Sequence, residues 1–144
     1  MRGTPSFGLA MLAIIIDSAA CGHAIGCPGL SFAVDAPADL GPLAGMDVSV
    51  TFAEMGLSCR LSAGTTSQSI CTAANDGSTL TVIEMTPGRM QLSVDGATPS
   101  CMKVTLQPLQ GKPVDWFIAA HYGDGADDCR VPVAVNQVPA CVAD

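Results

Sequence analysis

The chain has 144 residues, a formal net charge of −7 and charged residues at only 13% of its positions. This length fits one domain and excludes two ordinary ones. The acidic balance excludes nucleic acid as a partner, because phosphate binding needs clustered Lys and Arg, and the basic residues beyond position 20 are scattered. Abundant Val, Leu, Ile and Thr with so few charges exclude intrinsic disorder.

Residues 1–20 have the pattern of an export signal. Arg2 gives a positive start, and an apolar run follows over 9–16. A membrane-spanning helix needs about twenty apolar residues, so this shorter run favours a signal peptide. Ser18–Gly22 resembles a bacterial lipobox, which would make Cys21 the lipidated first residue of the mature protein. Ordinary cleavage after a small residue, extending the leader to 1–24, is the alternative, and both routes predict an extracytoplasmic protein.

Cysteine usage predicts three disulfides. Processing at Cys21 leaves an even number of cysteines in a small exported domain, which is typical of a disulfide framework. These are Cys27, Cys59, Cys71, Cys101, Cys129 and Cys141. Sequence leaves their pairing open, and the identical spacing of Cys59–Cys71 and Cys129–Cys141 makes two local hairpin staples the first expectation. No metal is predicted, because C-x-x-C pairs are absent and only two His occur.

Apolar and polar residues alternate with period two through most of the mature chain, which is the pattern of half-buried strands. Glycine, proline and Asn-Asp-Gly turns separate the alternating runs. Such a chain predicts an all-β sandwich or barrel of about seven to nine short strands. The predicted strands lie near 30–34, 48–52, 57–63, 67–73, 79–84, 90–94, 102–106, 114–121 and 131–135.

The predicted organisation has three parts. A signal peptide covers 1–20, or 1–24, and a leading segment with the first strand covers 21–45. Within that segment, residues 36–45 are predicted to form a loop of small residues. The disulfide-braced sandwich domain covers 46–144.

One stretch of the chain resembles a known family. Residues 72–94 place an Asp76-Gly77 turn before a strand, then Pro87-Gly88, then Met90, Leu92 and Val94 in alternation. With the preceding Gly45–Val50 segment, this layout resembles carboxypeptidase-regulatory-like, transthyretin-like domains over about 45–109. The resemblance implies a seven-stranded β-sandwich that serves as an accessory module without catalysis.

His121 is the candidate general base, since an unperturbed imidazole titrates near neutral pH. Asp124 lies close by in sequence, but no Ser or Cys nucleophile motif surrounds the pair. A histidine at a strand end beside a turn is the interpretation we favour. The sequence therefore predicts no enzyme, with a minor hydrolase centred on His121 as an alternative.

The densest acidic cluster is Asp124, Asp127 and Asp128. Calcium prefers several oxygen ligands on a flexible loop, so these residues are the one calcium candidate. The EF-hand spacing is absent, and a solvated loop is the favoured interpretation. Because variable chemistry gathers on connections, the loops at 110–113 and 123–128 are predicted to contact a partner, through Lys112 and the three aspartates.

Aromatic residues concentrate in the predicted strand at 114–121. Alternation places Trp116, Ile118 and Ala120 on one face, with Phe117 and Ala119 on the other. Large aromatics bury the most area, so a core role for Trp116 is favoured over a binding patch. Two apolar faces predict a strand covered on both sides, or one side kept for a partner.

Together these observations predict a non-catalytic secreted or lipid-anchored envelope protein, acting as a binding or structural module without a cofactor. Its expected partner is a protein or glycan of the cell envelope, and a membrane is contacted only through a lipid anchor. A small secreted protease inhibitor that presents the loop at 60–70 is the second alternative.

Overall fold

A computed structural model describes residues 27–63 and 69–142. The predicted signal segment, the predicted lipidation site at Cys21 and the centre of the 60–70 loop lie outside these ranges. Short 3₁₀ turns form at Ala38–Leu40 and Ala126–Asp128. In the described ranges, no helix is long and apolar enough to span a membrane. The strands are β1 (Leu30–Asp35), β2 (Asp47–Phe52), β3 (Met55–Arg60), β4 (Ser62–Ala63), β5 (Ser69–Asn75), β6 (Ser78–Thr86), β7 (Arg89–Asp95), β8 (Cys101–Gln107), β9 (Val114–Asp124) and β10 (Arg130–Val138).

The strands form two antiparallel five-stranded sheets, ordered β1-β7-β6-β5-β4 and β10-β9-β8-β2-β3. This confirms the predicted all-β, disulfide-braced sandwich. The predicted strand at 57–63 divides into β3 and β4, which belong to different sheets. Leu61 lies buried at the crossing, where its N–H donates to the Met46 carbonyl and its carbonyl accepts from the Gly45 N–H.

The core lies between the sheets and consists mainly of the alternating apolar residues. In β7, Met90, Leu92 and Val94 are fully buried while Gln91 is exposed. The same alternation holds in β2, β6 and β8. Burial of apolar area at about 25 cal/mol per Å² makes this interior the main stabilising contribution. Leu43 is also fully buried, so the predicted small-residue loop at 36–45 is anchored to the core.

Strand β9 is buried on one face only. Trp116, Ile118 and Ala120 lie in the core, which confirms the predicted core role of the tryptophan. Phe117 on the opposite face is half-buried. Near the end of the strand, the Tyr122 hydroxyl donates to the Pro99 carbonyl at 2.9 Å, and burial raises the pKa of this phenol.

Strand β10 differs from its predicted alternation. Val131 and Val135 are half-buried, but the side chain of Val133 is 68% exposed. The register against β9 shifts between Pro132 and Ala134, so Val133 sits on a bulge. An extra residue in one strand changes which residues face the core. The prediction that three valines share one buried face was therefore wrong.

The six cysteines form three disulfides, as the sequence predicts, joining Cys27 to Cys129, Cys59 to Cys71 and Cys101 to Cys141. The local pair Cys59–Cys71 is confirmed. The predicted pair Cys129–Cys141 is wrong, because the nine-residue strand β10 lies between these cysteines and each of them is bonded to a different cysteine. Bridged cysteines need Cα atoms within about 7 Å.

Two of the disulfides join one sheet to the other. Cys59 and Cys71 connect β3 to β5, while Cys27 precedes β1 and Cys129 precedes β10. These bridges lie at opposite sides of the sandwich, because β1 and β10 are edge strands at one side and β3 is an edge strand at the other. Three disulfides within one small domain indicate an oxidising environment outside the cytoplasm.

Candidate functional site

A groove with a volume of about 630 Å³ lies at one end of the first sheet. This volume lies within the range of small-molecule sites. One wall is the segment that follows β1, and the other wall is the hairpin turn between β6 and β7. The lining residues are Asp35, Ala36, Pro37, Ala38, Gly41, Pro42, Glu84, Met85, Thr86, Pro87 and Gly88.

A β-bulge shapes the hairpin wall of the groove. The register between β6 and β7 shifts between Glu84 and Thr86, and this leaves Met85 without a cross-strand partner. Met85 is 47% exposed, although most large apolar residues that the structure describes are buried. The bulge therefore presents a flexible apolar side chain in the groove, and methionine adapts well to irregular binding surfaces.

One backbone hydrogen bond joins the two walls, and a second hydrogen bond, to a side chain, orders the hairpin wall. Gly88, at φ 82°, turns the chain between the two strands, and its N–H donates to Oε2 of Glu84 at 3.0 Å. Its carbonyl accepts from the N–H of Ala36 at 2.7 Å. Glycine adopts this left-handed conformation without steric strain. Both walls are thus positioned before any ligand binds.

Acidic groups are the charged part of the lining. Asp35 and Glu84 bring two carboxylates, and among the described lining residues there is no lysine or arginine. Arg89 contacts the Asp35 carboxylate from outside the lining, with Nη1 at 2.9 Å from each oxygen. The ion pair is solvent-exposed, so it orients the carboxylate more than it stabilises the fold.

The two predicted contact loops lie far from each other. Lys112 is exposed in the connection before β9, and Asp124, Asp127 and Asp128 are exposed around the connection after it. An eleven-residue strand separates the two loops by about 35 Å. The fold therefore does not combine Lys112 and the aspartates in one surface.

The hydrolase and calcium candidates also remain dispersed. His121 is exposed on β9, and Asp124 follows three residues later, on the opposite face of the strand and about 10 Å away. Asp127 and Asp128 both adopt left-handed backbone angles in the following turn. In residues 27–63 and 69–142, no three acidic, histidine or cysteine side chains gather into a possible metal site.

Two other acidic residues have structural partners on the second sheet. Arg60 donates to both oxygens of Asp47, at 2.8 and 3.2 Å, and these hydrogen bonds lower the pKa of the Asp47 carboxyl. Asp115 accepts a hydrogen bond from Thr105 at 2.7 Å and lies 3.6 Å from the ammonium of Lys103. These carboxylates stabilise cross-strand pairs on an exposed face.

Sequence reasoning missed the groove. Its local signals were visible, since Pro87-Gly88 predicts the turn and two prolines, Pro37 and Pro42, interrupt the leading segment. The sequence does not show that β1 pairs with β7, and this pairing brings the segment after β1 next to the β6–β7 turn. Comparison of the chain with known protein families, curated proteins and solved structures finds no match, so the resemblance to transthyretin-like domains stays a prediction.

Proposed function

We propose that this protein is an extracytoplasmic, non-catalytic binding module, secreted or lipid-anchored, whose groove binds an extended basic segment of a partner protein. The observation that carries the proposal is the composition of the groove. Its lining combines apolar side chains of alanine, proline and methionine with two carboxylates. An apolar cleft with a few fixed polar groups is the usual form of a recognition site.

Charge complementarity favours a cationic occupant. The chain carries a net charge of −7, and three of its six basic residues, Arg60, Arg89 and Lys103, are engaged in ion pairs. A surface of this sign attracts a basic segment and repels an acidic one. Glu84 would fix the orientation of a bound lysine or arginine, because the Asp35 carboxylate is already paired with Arg89.

The preformed walls reduce the entropy that binding would otherwise lose. Glu84 and Gly88 are hydrogen-bonded to each other, and Gly88 is bonded to Ala36 in the opposite wall. The disulfides constrain the sheets that carry both walls. Preorganisation of this kind increases affinity because fewer groups are ordered on binding.

We expect a short synthetic peptide of alternating lysine and valine to bind the disulfide-intact protein at least about tenfold more tightly than its glutamate–valine counterpart. Calorimetric titration gives both affinities. Amide chemical shifts then locate the peptide, with the largest changes expected at Ala36, Ala38, Met85, Thr86 and Gly88. Equal affinity for the two peptides, or shifts confined to other loops, would contradict the proposal.

A matched pair of variants tests the groove itself. Met85→Lys places a cation in the groove, so affinity for the lysine peptide should fall at least about tenfold. Val133→Lys adds the same charge at an exposed site on the second sheet, outside the groove lining, and should change the affinity less than about threefold. Equal losses of affinity in both variants would show that the peptide is attracted by net charge alone and would contradict binding in the groove.

A further inference from the structure

Among residues 27–63 and 69–142, no strand pairs with the outer edge of β1, which ends the first sheet. It is six residues long, Leu30–Asp35, and pairs with β7 on its other side without any register shift. It contains no proline, lysine or arginine, and its single charge, Asp35, lies at its end. An unpaired strand edge with these properties is a template for another strand.

The other sheet edges carry features that oppose such pairing. β10 contains Pro132 and a bulge beside it. β3 is tied to β5 of the other sheet by the Cys59–Cys71 disulfide, and the Gly56 carbonyl accepts a hydrogen bond from Asn75. β4 is only two residues long. Proline, bulges and short length protect edges in natural proteins, so in the described chain β1 and β3 are the longer edges without these features. A disulfide flanks or joins each of the two strands, but on β3 the Asn75 hydrogen bond also occupies a backbone carbonyl, and no such bond is made to β1.

The hydrogen-bond pattern identifies the backbone groups that point outward. The Ala36 N–H donates to the Gly88 carbonyl, so this pair is bonded to the β7 side. Bonded and non-bonded positions alternate along antiparallel strands. The N–H and C=O groups of Ser31, Ala33 and Asp35 therefore face away from β7, toward solvent.

We propose that β1 pairs in antiparallel register with β1 of a second copy of this chain, around a two-fold axis at Phe32. In this register the outward groups of Ser31 meet those of Ala33 in the other copy. Isologous contacts of this kind need a surface that complements itself, and β1 meets that requirement through its alternating outward groups.

The side chains fit the same arrangement. Phe32 is half-buried at the edge of the core, and the axis places it opposite its own symmetry mate. Such a pair of aromatic rings can pack closely at a non-hydrogen-bonded position. Asp35 lies opposite Gly29 of the other copy, so the two carboxylates stay at opposite ends of the paired strands. Within β1 itself no like charges oppose each other, but Asp35 of each copy approaches Asp95 of the other, whose carboxylate lies against Gly29, and this like-charge contact weakens the dimer.

The contact is short, because six residues from each copy bury less than the roughly 1,200 Å² of standard interfaces. We therefore expect a concentration-dependent dimer in rapid exchange with the monomer. Sedimentation equilibrium of the disulfide-intact protein, over about a hundredfold range of concentration into the millimolar region, should show a weight-average mass that rises from one chain toward two.

Three variants test the edge. Ala33→Pro removes an outward N–H without removing a bond to β7, and should keep the protein monomeric across the range. Ala33→Ser retains that N–H and should associate like the original protein. Ser31→Lys combined with Ala33→Lys leaves the backbone unchanged but opposes lysines across the axis, so it should also abolish association.

The outcomes separate the alternatives. A single-chain mass at every concentration would overturn the proposal, as would association that persists in both Ala33→Pro and the double-lysine variant. Amides of Ser31, Ala33 and Asp35 should gain protection from hydrogen exchange as concentration rises. Protection of these amides only on adding an extended peptide, with no self-association, would assign the edge to a partner's strand and overturn the second copy as its occupant.

Discussion

Replacing Cys27 and Cys129 together by serine should lower the free energy of unfolding by about 4–5 kcal/mol. This disulfide spans 102 residues, the longest separation of the three. In the chain-entropy account, a longer cross-linked loop restricts the unfolded chain more strongly, which stabilises the folded state. The bridge also joins the ends of the two sheets at β1 and β10. Urea unfolding without reductant measures the change.

The matched control is the double replacement of Cys59 and Cys71 by serine. This bridge also joins the two sheets, but its cysteines are separated by only 12 positions. The expected loss is about 3 kcal/mol. If the short bridge contributes more than the long one, loop entropy is not the main effect, and local strain or packing at the bridges governs their contributions.

Leu92→Ala should lower the free energy of unfolding by about 2–5 kcal/mol. Leu92 is fully buried in β7, a central strand of the first sheet. Truncation removes apolar contacts with both neighbouring strands and leaves a cavity that the rigid sandwich fills only in part. The midpoint of urea unfolding should fall while the slope m stays constant.

Leu109→Ala is the matched control, because the same atoms are removed from a side chain that is 73% exposed. Its effect should stay within about 0.5 kcal/mol. A loss at Leu109 comparable to that at Leu92 would contradict the assignment of the core to the space between the sheets.

The strands and their buried faces could be predicted because the information is local. Met90, Leu92 and Val94 alternate with polar residues in the sequence, and the structure buries these three side chains. A pleated strand imposes that period on any sheet with one covered face. Where an extra residue interrupts the pleat, as at Val133, the sequence carries no comparable signal, and the prediction for β10 failed.

The disulfide pairing and the groove could not be predicted, because both depend on contacts between residues far apart in the sequence. Cys129–Cys141 has the same spacing as Cys59–Cys71, yet only the second pair forms. The extended strand β10 lies between Cys129 and Cys141, whereas the chain reverses direction between Cys59 in β3 and Cys71 in β5. The groove depends in the same way on β1 joining β7 across more than fifty residues. The spacing of residues along the chain predicts neither the disulfide pairing nor the groove.

The most direct test of the account is disulfide mapping by mass spectrometry on the protein isolated from its native source without reductant. We predict three linked peptide pairs, Cys27 with Cys129, Cys59 with Cys71 and Cys101 with Cys141, and no titratable thiol among these six cysteines. Six free thiols would contradict an oxidising location outside the cytoplasm. A Cys129–Cys141 link would contradict the disulfide pairing of the sandwich.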